Sequence, residues 1–243
     1  TTSREAYTRD NKEVQALMEK LEPAEDFYRV EKKTRKTKND GAWMNFPSVS
    51  LFSSTANADL TKFFKRMGCE ASTNAYSITG STPLVDSLLS VRYALYSEYI
   101  PNTDLVNYIQ ESGGTYLYEN LYTLPLGFVL PYDLADNWQY QMENPAEVQN
   151  DLCLLLGTDD VLVPVETEVS GSGCTFTADM AGEYYVYIQN KKVKNVKASL
   201  PSGEKNFSNV DRGYLLEMGN LSEGSRITLT PGESGETLTA AVY

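Results

Sequence analysis

The spacing of apolar residues divides the chain into two grammars, one helical and mixed, the other built from short strands. Val14, Leu17, Met18 and Leu21 fall on one face of a helix opened by Asp10 and Glu13, spaced as a capping box and closed at Pro23. Phe27 to Lys32 alternates apolar and polar residues and predicts a strand. A second helix begins near Asn57, with Leu60, Phe63, Phe64 and Met67 as its apolar stripe and Gly68 as its stop. Thr82 then caps a helix with Pro83 at its first position, running through Leu89, and Val91 to Tyr96 reads as a core strand.

Asp104 to Gln110 reads as a short helix broken by Gly113-Gly114, and Thr115 to Tyr122 as a strand. Leu126 to Leu130 is a brief apolar run ended by Pro131. Asn144-Pro145-Ala146-Glu147 combines a cap, a first-position proline and an acidic third position, so it opens a helix. Val148, Leu152, Leu155 and Leu156 form its stripe, and Gly157 stops it. Past Asp160 the helical period disappears. Turn sequences at 170–173, 181–182, 201–203, 211–213, 223–224 and 231–232 separate six to eight short β-rich runs, the pattern of an antiparallel sandwich. The expected fold is α+β in two domains: a mixed α/β domain over 1–160 and a β-sandwich, jelly-roll or immunoglobulin-like, over 161–243.

Charge narrows the partners. With 33 acidic against 21 basic residues the net charge is -12, which opposes nucleic acid or an anionic membrane as the main partner. The basic run Lys32, Lys33, Arg35, Lys36 and Lys38 is a local exception, read either as a solvated loop or as a contact for lipid headgroups or a polyanionic polymer. No apolar run is long enough to span a bilayer. The start Thr1-Thr2-Ser3 has neither an initiator Met nor a leader pattern, so the chain is expected to be a mature or excised piece.

Chemistry is sparse. The chain has no histidine, so no Ser–His or Cys–His nucleophile pair is available, and Cys69, Cys153 and Cys174 match no metal-ligand spacing. A buried Cys153 and a Cys153–Cys174 disulfide are both open readings. No phosphate-binding glycine motif is present, and no cofactor, metal site or catalytic residue is assigned. The acids Asp133, Asp136, Glu143, Asp159 and Asp160 stand near aromatic residues without a spacing that marks a carboxylate pair. The aromatic residues themselves are more suggestive. Trp43, Phe46, Tyr132, Trp138 and Tyr140 stand outside strand alternation, with Asn137, Gln139 and Gln141 around Trp138. Such side chains either stack on sugar rings or pack loops onto the core.

Four segments in order carry a likeness to a known family. They are Phe46-Pro47-Ser48-Val49-Ser50-Leu51-Phe52-Ser53-Ser54 with the helix ending Met67-Gly68; Thr82-Pro83-Leu84-Val85-Asp86-Ser87-Leu88-Leu89; Tyr118-Glu119-Asn120 with Leu124-Pro125-Leu126-Gly127-Phe128; and Asn144-Pro145 with Gln149-Asn150. This order resembles the extracytoplasmic region of the YfhO family, bacterial multi-pass membrane proteins regarded as GT-C-type glycosyltransferases. The β-rich tail, with Phe207-Ser208-Asn209 and Gly213, is similar to that family's terminal sandwich. The resemblance implies an accessory region, tethered to the bacterial cell membrane through the transmembrane part of the same polypeptide. It further implies that this region recognises a cell-envelope glycopolymer such as lipoteichoic acid or is purely structural. The catalytic carboxylate and the polyprenyl-phosphate sugar donor would belong to the membrane part. A stand-alone surface carbohydrate-binding or adhesion module is the alternative.

Overall fold

The computed structural model describes residues 3–21 and 26–243; the expected stop at Pro23 lies outside them. Its helices are α1 (Arg4–Thr8), α2 (Asn11–Met18), α3 (Asp40–Met44), α4 (Ala58–Arg66), α5 (Pro83–Leu88), α6 (Leu134–Asn137) and α7 (Pro145–Leu155). The strands before α6 are β1 (Arg29–Lys32), β2 (Leu51–Phe52), β3 (Ala71–Ser72), β4 (Ala75–Tyr76), β5 (Val91–Tyr96), β6 (Val106–Ser112) and β7 (Thr115–Asn120). Those after α7 are β8 (Glu168–Ser170), β9 (Gly173–Thr177), β10 (Gly182–Ile188), β11 (Asn195–Leu200), β12 (Gly203–Ser208), β13 (Leu216–Leu221), β14 (Arg226–Pro231) and β15 (Ala240–Val242). The fold is α+β, with a mixed sheet and helices first and antiparallel sheets after.

Two compact units are interleaved along the chain. One comprises residues up to Asn57, Thr73–Ile78 and Thr82–Val129; the other comprises Ala58–Ser72, Thr79–Ser81 and Leu130–Tyr243. The sandwich strands begin with β8 at Glu168, and the second compact unit also takes in α4, α6 and α7.

The first unit holds a four-stranded sheet in the order β1-β5-β7-β6, with β1 parallel to β5 and the other pairs antiparallel. Val14 and Leu17 of α2 pack with Val30, Met44, Phe46, Leu95 and Leu117 in its core. Two expectations fail here for visible reasons. Residues 106–112 are strand β6, not helix, because Gly113 and Gly114 both take positive φ (54° and 82°) and close a two-residue hairpin onto β7. The tyrosines then interlock edge to face, Tyr108 with Tyr99 and Tyr118 at 5.7 Å each. Asp10 precedes α2 as expected, but in the left-handed region and without a side-chain cap bond. Its carboxylate goes instead to Lys36 at 3.5 Å and Lys32 at 3.8 Å.

Local signals elsewhere are realised as read. Thr82 Oγ1 accepts from the Val85 amide and Asn144 Oδ1 from the Ala146 amide, so both caps form. Gly68 and Gly157 end α4 and α7, with the next amide in each case bonding back to the carbonyl five residues earlier, Phe64 and Cys153.

In the second unit, β12-β11-β14-β9-β8 and β13-β10-β15 form two antiparallel sheets. Phe176, Tyr184, Val186, Ile188, Leu216, Ile227 and Leu229 fill the core they share. Tyr185 and Tyr187 alternate onto the opposite face of β10, where Ala146, Leu162 and Leu215 cover them. Gly80 bonds here too. Its amide donates to Glu217 Oε1 at 2.7 Å, beside the bond from the Leu215 amide to Gly68 O at 2.8 Å. The three cysteines are all buried and no disulfide joins them; burial pushes the Cys153 and Cys174 thiols up.

Candidate functional site

The serine-rich loop that stands out in the sequence is a clamp around a buried carboxylate. Glu31, on β1, is nearly inaccessible, and its Oε1 accepts from Ser48 Oγ and the Ser50 amide at 2.9 Å and from the Val49 amide. Oε2 accepts from Ser50 Oγ at 2.9 Å. Burial pushes the Glu31 carboxyl above its ordinary value, and these donors only partly oppose it. Phe46 belongs to the core beneath this loop, so its ring does not face solvent. Trp43, on α3, is half out in solvent, its ring tilted at 51° against Tyr7 with centroids 4.9 Å apart.

The basic run is largely occupied by its own chain. Lys32 is buried, donates to Thr34 O at 2.7 Å and meets Asp10; burial lowers its pKa against the pull of Asp10 and Asp40. Lys33 pairs with Asp86 at 3.3 Å, and Lys36 meets Asp10 and donates to the carbonyls of Tyr7 and Arg9. Asp40 accepts from the Lys36 and Thr37 amides, at 2.7 and 2.9 Å, and so fixes the bend of the segment. Arg35 and Lys38 are half-exposed. A run that reads as a cationic face thus gives the ammonium groups of Lys32, Lys33 and Lys36 to internal carboxylates.

In the second unit Trp138 and Tyr140 come together. The rings lie 5.0 Å apart at 55°, both half-exposed, on the short segment between α6 and α7. That segment is held at many points. Trp138 Nε1 donates to Val148 O at 2.9 Å, and the Gln139 amide donates to Asp151 Oδ2 at 2.6 Å, both on α7. Arg66, the last residue of α4, donates through Nη1 to the carbonyls of Gln141 (2.8 Å) and Met142 (2.9 Å), and through Nη2 to Gln141 Oε1 (3.1 Å). Tyr187 Oη donates to Glu143 O at 3.0 Å, and Lys191 sits 4.3 Å over the Tyr187 ring. Burial raises the Tyr140 pKa, with nearby Arg66 lowering it and Asp59 raising it, so this phenol stays neutral at ordinary pH.

This arrangement offers a rigid aromatic corner flanked by a guanidinium, a glutamine and the exposed carboxylate of Asp59. Because the indole N–H is already used, Trp138 has only its ring surface to offer a ligand. The fifth aromatic singled out, Tyr132, is fully exposed on the loop before α6. The sequence reading missed Arg66, whose only signal was a basic residue in the last turn of an amphipathic helix. Among the described residues no group of three or more Cys, Asp or Glu is arranged to hold a metal ion, and no helix is long and apolar enough to cross a membrane.

Comparison with known proteins places the chain in a class, the bacterial membrane proteins, through a match over residues 1–161. The matching family is described as bacterial membrane protein YfhO, and the chain belongs to it. No curated protein and no solved structure matches the chain.

Proposed function

We propose that this chain is the extracytoplasmic region of a membrane glycosyltransferase acting on cell-envelope polymers, and that the Trp138–Tyr140 corner meets the acceptor glycan. The reading is supported by membership of a membrane-protein family, by the resemblance of its motifs to the extracytoplasmic part of that family, and above all by the corner itself. A pair of half-exposed rings braced by Arg66, Asp151 and α7 is preorganised, so a sugar ring stacking there would cost little side-chain ordering. Catalysis is assigned to the transmembrane part of the polypeptide. The chain by itself is expected neither to transfer sugar from a polyprenyl-phosphate donor nor to hydrolyse a glycoside.

Only two tryptophans are present, so replacing Trp43 by Phe leaves Trp138 as the sole indole reporter. Titration with soluble fragments of envelope polymers, glycerol-phosphate chains with and without sugar substituents among them, should shift the Trp138 emission for the sugar-bearing fragments. Tyr140→Ala should remove the response while leaving the fold intact. If no fragment perturbs Trp138, or if Tyr140→Ala binds as well as the parent, the acceptor reading is wrong and the region is structural.

A further inference from the structure

The loop from β7 to α6 is an uncharged stretch with several exposed apolar side chains. From Asn120 to Tyr132 it contains no Asp, Glu, Lys or Arg, in a protein of net charge -12. Past Asn120, the end of β7, it forms neither helix nor strand, and the Leu124 amide ties it to Ser87 O (3.3 Å). Beyond this bond several apolar side chains are exposed. Leu126 is 60% exposed, Val129 98%, and Phe128 and Leu130 about two-fifths each. Tyr122 and Tyr132 stand exposed on either side.

A folded chain does not ordinarily leave so many consecutive apolar side chains in water, and such patches mark an interaction surface. The chemistry selects the occupant. A protein interface would be expected to mix these side chains with charged or hydrogen-bonding groups at its rim. An uncharged stretch that exposes Leu126, Phe128 and Val129, with Tyr122 exposed before them, matches the composition of a bilayer surface, acyl chains inside and headgroups outside. The chain also belongs to a family of membrane proteins. We infer that the Leu126–Val129 stretch inserts into the acyl–headgroup boundary of the lipid bilayer, with Tyr122 at headgroup level. This anchors the loop at the membrane surface. The inference does not rest on the glycan-binding reading, since it uses neither Trp138 nor Tyr140.

Because the loop carries no charge, insertion is driven by apolar area; it should depend little on salt and should not require anionic lipid. The three native thiols are buried, so Val129→Cys can be labelled selectively with an environment-sensitive fluorophore, and Ser202→Cys, on the exposed β11–β12 turn, serves as control. The 243-residue chain is tethered by a terminal histidine tag to neutral phosphatidylcholine vesicles carrying a nickel-chelating lipid and a nitroxide-bearing acyl chain. The label at 129 should shift to the blue and be quenched by the nitroxide, at low and high salt alike, while the label at 202 should not.

Replacing Leu126 and Val129 together by Ser should lower partitioning of the untethered chain onto neutral vesicles by about 10-fold, with melting unchanged within about 2 °C because these two side chains are largely exposed. Absence of quenching at 129 on the tethered vesicles overturns the inference. So does binding that needs anionic lipid and vanishes with salt. Protection of residue 129 only in the presence of the membrane-spanning part, without nitroxide quenching, also overturns it and assigns the loop to a protein partner instead.

Discussion

Removing the Glu31 side chain tests whether the serine-rich loop is held by a buried carboxylate. In Glu31→Ala four donors lose their acceptor: the Val49 and Ser50 amides and the Ser48 and Ser50 hydroxyls. The hydroxyls can rotate toward water, since Ser48 to Ser50 are half-buried, but the two amides are fixed in direction. At about 1–3 kcal/mol for each stranded amide, reduced where water reaches the loop, the expected loss is about 2–4 kcal/mol. That is a large part of the roughly 5–15 kcal/mol that holds a typical domain. Glu31→Gln keeps the oxygen that receives three of the four bonds and turns its amide toward Ser50 Oγ, so its cost should stay below about 1.5 kcal/mol. Urea denaturation followed by circular dichroism measures both.

The pH dependence carries a sign. Burial raises the Glu31 pKa in the folded chain above its unfolded value, so the native state binds the proton more tightly. The associated stabilisation is complete below the unfolded pKa and is lost as pH rises through the folded one. The stability of the unsubstituted chain relative to Glu31→Gln should therefore fall as pH rises across that interval. An Ala variant within about 0.5 kcal/mol of the parent, below the cost of even one stranded amide, would refute the argument. A difference from Gln that grows with pH would refute the assigned direction.

Three further outcomes follow from the geometry. Gly80 has φ +83°, and a Cβ there would lie 2.4 Å from Gly68 O and 2.6 Å from Leu215 O, so Gly80→Ala should cost about 3 kcal/mol or more and lower the melting temperature sharply. Asp10→Asn takes away the carboxylate shared by Lys32 and Lys36; it should cost about 1–2 kcal/mol at neutral pH, most of it recovered by adding Lys32→Met. That penalty should also fade in alkaline solution, because the buried Lys32, whose pKa is already lowered, then loses its proton. Residues 161–243 expressed alone should assemble their two sheets, as judged by proton dispersion, yet bind a hydrophobic dye more strongly than the full chain because Ala146 no longer covers Tyr185 and Tyr187; a dye-silent fragment would show that this cover is dispensable.

What could be read from the sequence was local. Thr82-Pro83 and Asn144-Pro145 carry their caps within three residues, and Gly68 and Gly157 end helices through their own backbone freedom, so each works wherever the chain places it. Asp10 looked like the same kind of signal, but its side chain is claimed by Lys32 and Lys36, more than twenty residues away. The segment 106–112 misled for a related reason. Gly113-Gly114 breaks a helix and closes a hairpin equally well, and the choice is made by pairing with β7 and by the rings of Tyr99 and Tyr118. At the candidate site Trp138 and Tyr140 could be chosen by type and company, and the structure pairs them. That Phe46 is core, that three lysines of the basic run meet internal acids, and that Arg66 braces the aromatic segment are facts of distance, which no spacing rule encodes.

The interleaving of the two units sets a timetable for synthesis. Gly68 finds its partner amide only at Leu215. At a translation rate of roughly 5–20 residues per second, the separation of 147 residues (215 less 68) means a wait of about 7–30 s between the emergence of α4 and the arrival of the strand that secures it. During that interval Phe64 and Met67, both buried in the finished fold, have no completed core to enter. A nascent chain with the apolar face of a helix uncovered for so long is a natural client for a holding chaperone. Substitutions in β13 should accordingly show themselves first as proteolysis near residues 58–81, far away in sequence from the change.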